Sequence, residues 1–203
     1  MWLRRTNRAV KVLLVLLLLH AVVFPDLPQY DGKGIVPRLI FYPTSIWLVP
    51  LVWWLVWHRR GRTLPYPHLI DLCVALPFTI DTAGNTANLY DTIDWWDDLM
   101  HFVTWVPWVV AAGLVVRERV HLRRLDVFAI TLGFGAVTHI VWEVLEYLAF
   151  IRNNENELAG AYTDTIGDLV MSLAGSITGA MLVVTVLYGV GRLRTSGPDA
   201  LTP

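Results

Sequence analysis

The sequence has little cysteine: Cys73 is the only one among 203 residues. The chain therefore forms no internal disulfide and has no cysteine pair with the spacing of a zinc site. It also has no internal repeat and no Gly-x-Ser-x-Gly turn of the kind that presents a nucleophilic serine. These absences exclude a disulfide-stabilised fold, a cysteine-ligated zinc domain and a serine hydrolase of that type.

Apolar residues, in contrast, are abundant. Hydrophobic residues make up 55% of the chain, ten residues are Trp, and the mean hydropathy is +0.51. A membrane-spanning helix needs about 20 apolar residues, and six stretches meet this length: 9–24, 39–57, 69–90, 95–116, 125–151 and 164–190. The predicted fold is an all-α polytopic membrane helical bundle with six transmembrane helices. Residues 1–194 form the single domain, and residues 195–203 form a flexible tail.

The charges divide between the two sides of the membrane that these six spans define. Thirteen of the sixteen basic residues fall on one side, and thirteen of the seventeen acidic residues fall on the other. Because basic loops stay in the cytoplasm, both termini are predicted to be cytoplasmic. The first span follows a basic stretch but has no small-x-small cleavage site before Pro25, so we expect it to be a retained signal anchor.

Four of the predicted spans carry polar residues at offsets that keep them on one helical face. These stripes are Asp81, Asn85 and Asn88; Asp94, Asp98 and His101, with Asp97 beside them; His139, Glu143 and Glu146; and Asp164, Asp168 and Ser172. At about 1.5 Å of rise per residue, they reach a common layer in the outer half of the membrane. A polar face is costly in lipid, so we expect the stripes to line a pocket open to the extracytoplasmic side. Gly175 and Gly179 should let the sixth helix pack closely.

Simple hydrogen bonding between helices explains Asn85, Asn88 and Ser172. It does not explain the carboxylates, which repel one another in a low-dielectric layer. The nearest basic residue is Arg152, which is predicted to lie at a helix end. Protonation, a bound cation or a cationic substrate must therefore stabilise the cluster.

A divalent metal ion is the simplest of these solutions. Carboxylates with imidazole suit Zn, Mn or Fe, and all-oxygen sites suit Mg. We expect His139 and Glu146 to act in catalysis, with His139 either behind the ligands or as general base. The predicted metal ligands are Asp97, Asp98, His101, Glu143, Glu146 and Asp168.

The leading functional hypothesis is a metal-dependent hydrolase or transferase that acts on a lipid or lipid-linked substrate. A proton- or cation-coupled transporter is the main alternative, although the inner half of the membrane has only Asp71 and Asp126, near the helix ends. A non-catalytic accessory membrane protein is the third. We expect membrane lipids and a lipid-linked or small-molecule substrate as partners, and no nucleic acid; the sequence leaves the oligomeric state open.

Three short blocks carry a resemblance to a known family. They are Asp97-Asp98-Leu-Met-His101-Phe102, Trp142-Glu143-Val-Leu-Glu146-Tyr147 and Asp164-Thr165-Ile-Gly-Asp168. Together they resemble the YjdF-type family of multi-pass bacterial inner-membrane proteins, and more distantly the VanZ-like membrane proteins. The resemblance implies a multi-pass fold in the bacterial cytoplasmic membrane and points to Asp97 rather than Asp98. A fourth block, Asp81-Thr82-Ala-Gly-Asn85, has Asn85 where the family has His.

Overall fold

A computed structural model describes residues 2–60, 65–117, 122–149 and 151–189. Within these ranges the regular structure is entirely helical, as the sequence predicts. The predicted tail at 195–203 and the last residue of the predicted sixth span lie outside the described residues.

In the part of the chain that the structure describes, five helical segments are long and apolar enough to cross a membrane. Four of them are single helices: α1 (Trp2–Val23), α6 (Trp96–Arg117), α7 (Arg124–Ala149) and α8, which runs from Glu155 to Thr185. The fifth segment, Ile35–Val56, combines α2 (Ile35–Phe41) with most of α3 (Thr44–Arg60). A turn at Tyr42 and Pro43 separates α2 from α3, because proline has no backbone N–H to continue the helical hydrogen bonds.

The predicted third span corresponds to α4 (His68–Thr86), which is not one of the five apolar segments. Its polar residues, among them Asp71, Asp81 and Asn85, lower its hydropathy. The helix ends at Thr86, and Asn88 has a left-handed conformation with φ of 58° before the short helix α5 (Leu89–Thr92). The prediction that Asn88 continues the stripe of Asp81 and Asn85 is therefore wrong.

The predicted start of the sixth span was also wrong. Helix α8 begins at Glu155 rather than at residue 164, so Asp164 lies inside the helix and not at its first turn. Its 31 residues give a length of about 46 Å at 1.5 Å per residue.

Helix α6 packs against α4, α7 and α8, and its contact with α8 is especially close. A Cβ atom at Gly175 would lie 2.5 Å from the carbonyl oxygen of Phe102, and one at Gly179 would lie 2.8 Å from that of Val106. Only glycine permits such contact between backbones. The predicted role of these two glycines is confirmed.

Helix α4 also packs against α1 and α3, and a buried ion pair fixes this arrangement. Asp71, which is 1% exposed, lies 2.6 Å from the ammonium group of Lys11 and accepts hydrogen bonds of 2.6 Å from Asn7 and from Tyr66. Lys11 also donates to the carbonyl oxygen of Ile46 at 2.8 Å. We call Asn7, Lys11, Tyr66 and Asp71 the Asp71 clamp, because they join α1 and α4 to each other and to α3.

Candidate functional site

His101, on α6, stands between carboxylates from three helices. Its ring is buried, and Nε2 lies 3.4 Å from Oδ1 of Asp168 and 3.8 Å from Oδ1 of Asp97. Its other nitrogen, Nδ1, lies 3.1 Å from the hydroxyl oxygen of Ser172 and 3.8 Å from Oε1 of Glu143. The structure therefore brings together four of the predicted ligands and Ser172.

Local helix geometry accounts for this grouping. Asp97 and His101 are four residues apart on α6, as are Asp168 and Ser172 on α8, so each pair shares a helical face. The backbone contact at Gly175 then holds α8 against α6, where Asp168 and Ser172 reach the His101 ring.

A second group lies deeper, on α7. Nε2 of His139 is 3.3 Å from Oε1 of Glu143, both side chains are buried, and neither of these two atoms makes a hydrogen bond. By distance, two sets of three side chains among the described residues could hold a metal ion, and both contain His101. We call Asp97, His101 and Asp168 the outer set, and His101, His139 and Glu143 the inner set.

A cavity of about 400 Å³ adjoins the outer set. Asp97 and His101 line it, and so does Glu146, whose Oε2 is buried without a hydrogen-bond partner. Aromatic side chains from α6 and α7 form much of the remaining wall, namely Trp105, Trp108 and Trp142. The cavity wall therefore combines acidic and aromatic side chains.

A basic residue also reaches this cavity. Arg38, on α2, lines it, and its Nε lies 3.1 Å from Oδ2 of Asp81. Asp81 also accepts hydrogen bonds from the hydroxyl groups of Tyr42 at 2.6 Å and Tyr90 at 2.8 Å. Burial, with the nearby charge of Asp81, raises the pKa of Tyr90 well above its usual value, so Tyr90 remains a donor. The prediction that Arg152 is the basic residue nearest to the acidic cluster is wrong, because Arg38 and Lys33 line the cavity together with Asp97 and Glu146.

Not every predicted site residue joins the cluster. The side chain of Asp98 is exposed, and its Oδ1 would lie 2.9 Å from a Cβ atom added to Gly167 of α8. Four predicted site residues are not among the described residues that line the cavity, namely Asp98, His139, Glu143 and Asp168. Glu146 does line it, but it belongs to neither set of three.

No pattern in the sequence indicates that Arg38, Tyr42 or Tyr90 belongs to this site. Each is an ordinary residue near a helix end, and only the folded chain brings it to Asp81. Gly84 provides the space for Tyr90, since a Cβ atom there would lie 2.9 Å from the tyrosine ring.

Comparison with curated proteins finds no match, and comparison with solved structures finds none either. A family model does match, over residues 8–189. This range includes every residue of both sets and of the cavity wall. The chain therefore belongs to the family described as "Predicted membrane protein (DUF2238)", and it is a multi-pass membrane protein.

Proposed function

We propose that this protein is a metal-dependent hydrolase or transferase of the bacterial cytoplasmic membrane, acting on a lipid or lipid-linked substrate. The observation that carries the proposal is the position of Nε2 of His101, a residue of the cavity wall, which faces the carboxylates of Asp97 and Asp168.

The distances within the outer set suit a metal ion better than hydrogen bonds. At 3.4 and 3.8 Å, the gaps between Nε2 and the two carboxylate oxygens exceed normal hydrogen-bond lengths. Ligand atoms around a tetrahedral ion with bonds of about 2.1 Å are about 3.4 Å apart. One imidazole and two carboxylates suit Zn, Mn or Fe, and three protein ligands beside an open cavity are typical of catalytic rather than structural sites.

A metal ion in this position would polarise a substrate oxygen. The chain's own contribution is then a base, and Glu146 suits this role because it lines the cavity and its Oε2 has no hydrogen-bond partner. His139, the other predicted catalytic residue, is buried behind the ligands next to Glu143. We therefore assign proton transfer to Glu146.

The cavity walls favour an amphiphilic substrate. A volume of about 400 Å³ is within the range of small-molecule sites, about 300–1,000 Å³. Thr138, Trp142 and Glu146 line the cavity from one face of α7, while Val141, Val144 and Leu145 on that helix are exposed on the outer surface of the bundle, where we expect lipid. A single helix thus separates the cavity from lipid on that side.

We further propose that α4 crosses the membrane as a sixth span, which places both termini in the cytoplasm. Two observations support this topology. Helix α4 packs against both α1 and α6, which are among the five apolar segments, and the positive charges of the chain fall on the side of the termini when six spans are counted. The cavity then opens on the extracytoplasmic side.

The first experiment measures bound metal by mass spectrometry in the detergent-purified protein. The wild type should carry about one ion per chain, and Asp168→Asn should lose it because one of three ligands is removed. Asp98→Asn is the matched control, since that carboxylate is exposed and belongs to neither set. A wild-type protein with no metal above background would refute the proposal.

The second experiment tests catalysis. Phospholipid vesicles of bacterial composition are incubated with metal-loaded protein, and products are analysed by mass spectrometry. Glu146→Gln should keep the metal but lose activity by about 100-fold to 10,000-fold, as expected for loss of a general base. If the wild type instead takes up protons into liposomes without metal, and Glu146→Gln abolishes this uptake, the result favours a proton-coupled transporter.

A further inference from the structure

The two candidate metal positions compete for one histidine. The outer set uses Nε2 of His101 with Asp97 and Asp168, whereas Nδ1 faces Glu143 in the inner set. A neutral imidazole has one nitrogen that carries hydrogen and one with a free lone pair. His101 therefore binds a metal ion through only one of its two nitrogens, and the position of its ring hydrogen decides which.

We propose that Ser172 makes this choice and is a positioning residue for the metal centre, an inference that rests on the proposed function. Its side chain is fully buried, and its hydroxyl oxygen lies 3.1 Å from Nδ1 of His101. No other hydrogen bond of the His101 ring is found among the described residues.

Metal binding through Nε2 would place the ring hydrogen on Nδ1, where two acceptors lie nearby. The hydroxyl oxygen of Ser172 is 3.1 Å from Nδ1, and the carboxylate of Glu143 is 3.8 Å away. A hydrogen bond from the second ring nitrogen usually orients a metal-binding histidine. Ser172 therefore holds the ring with the lone pair of Nε2 toward the outer set.

That lone pair faces two carboxylate oxygens, those of Asp97 and Asp168. The lone pair and the two carboxylates repel one another unless a proton or a metal ion lies between them, and a metal ion can bind all three. The arrangement that Ser172 sets up thus creates a cation site in the outer set, beside the cavity.

Only the outer set is placed to bring a metal ion to a substrate, because the inner set centres on His139 and Glu143. Neither residue is among the described residues that line the cavity, so an ion held there would not meet substrate.

The test compares two serines on the same helix. Ser172→Ala removes the acceptor for Nδ1, and Ser176→Ala is the control, because Ser176 is also fully buried on α8 but packs against Gly135 of α7. Affinity for Zn²⁺ is measured by competition with a chelator. Loss of a group that orients a metal-binding histidine usually costs 10-fold to 100-fold in affinity. We expect a loss of that size for Ser172→Ala. For Ser176→Ala the affinity for Zn²⁺ should fall by less than about three-fold, which corresponds to about 0.7 kcal/mol.

Two further measurements separate positioning from folding. The metal-free Ser172→Ala and Ser176→Ala proteins should have similar melting temperatures, and the visible spectrum of bound Co²⁺ should change only for Ser172→Ala. His139→Gln should retain the metal that Asp168→Asn loses. Zn²⁺ affinity of Ser172→Ala equal to that of the wild type would overturn the inference, as would loss of metal in His139→Gln comparable to that in Asp168→Asn. A wild type without metal would instead refute the proposed function itself.

Discussion

The Asp71 clamp predicts a large and asymmetric loss of stability. Replacing Asp71 by Leu removes the carboxylate that Lys11, Asn7 and Tyr66 all contact at 2.6 Å. The ammonium group of Lys11, which is 14% exposed, is then left without its counter-charge. Breaking a buried ion pair by removing one partner typically costs about 3–5 kcal/mol.

Removing both charges should lower the free energy of unfolding by less than the sum of the two single changes. In Lys11→Met with Asp71→Leu, apolar side chains replace both ions, and such replacement of a buried pair is often close to neutral. Asn7 and Tyr66 still lose an acceptor, at about 1–3 kcal/mol for each buried unsatisfied group. We therefore expect the double variant to be more stable than Asp71→Leu alone, with a coupling free energy of about 2 kcal/mol.

The assay is reversible unfolding in mixed micelles, followed by the fluorescence of the ten tryptophans. Wild type, the two single variants and the double variant form a complete cycle. A coupling free energy below about 0.5 kcal/mol, the level at which independent sites add, would show that the clamp is not an energetic unit.

Two further predictions concern packing and pH. Gly175→Ala would place a methyl group 2.5 Å from the carbonyl oxygen of Phe102. We expect it to lower the free energy of unfolding by about 1–3 kcal/mol and to weaken metal binding. In the control variant Gly160→Ala, the added methyl group meets nothing within 4 Å, so this change should be neutral or stabilising by up to about 1 kcal/mol. Burial and the hydrogen bond to Asp71 raise the pKa of Tyr66. An unfolded tyrosine releases its proton near pH 10, at about the usual pKa. The stability that the protonated Tyr66 contributes is therefore present below that pH and is lost above it. Between about pH 9 and pH 11, the melting temperature of Tyr66→Phe should therefore fall less steeply than that of the wild type.

Helical periodicity predicted some of the contacts within a helix. His139 lies near Glu143 because residues four apart share a face. On α6 the predicted stripe included Asp98, which is exposed, and the carboxylate near His101 is that of Asp97, to which the family resemblance pointed. Counting residues inward from the predicted span ends placed Asp168 and His101 in a common layer, and the structure has their side chains 3.4 Å apart. Helix geometry also explains why the side chain of Asp98 is exposed. Neighbouring residues on a helix point about 100° apart, and Asp97 faces the cavity.

Contacts between distant parts of the chain could not be predicted in this way. Arg38 pairs with Asp81, 43 residues away. Lys11 pairs with Asp71, 60 residues away. Both depend on how α1, α2 and α4 are rotated and tilted against one another, which the spacing of residues within one helix does not determine.

The two ion pairs of α4 have a consequence for how this protein enters the membrane during synthesis. An aspartate at the centre of an isolated helix costs about 2.5–3.5 kcal/mol to insert, and α4 carries both Asp71 and Asp81. Their partners, Lys11 and Arg38, lie earlier in the chain and are synthesised first. For α4 to cross the bilayer, it must leave the insertion machinery against α1 and α2, whose positive charges are already in place. The first four helices should therefore enter the membrane together rather than one at a time.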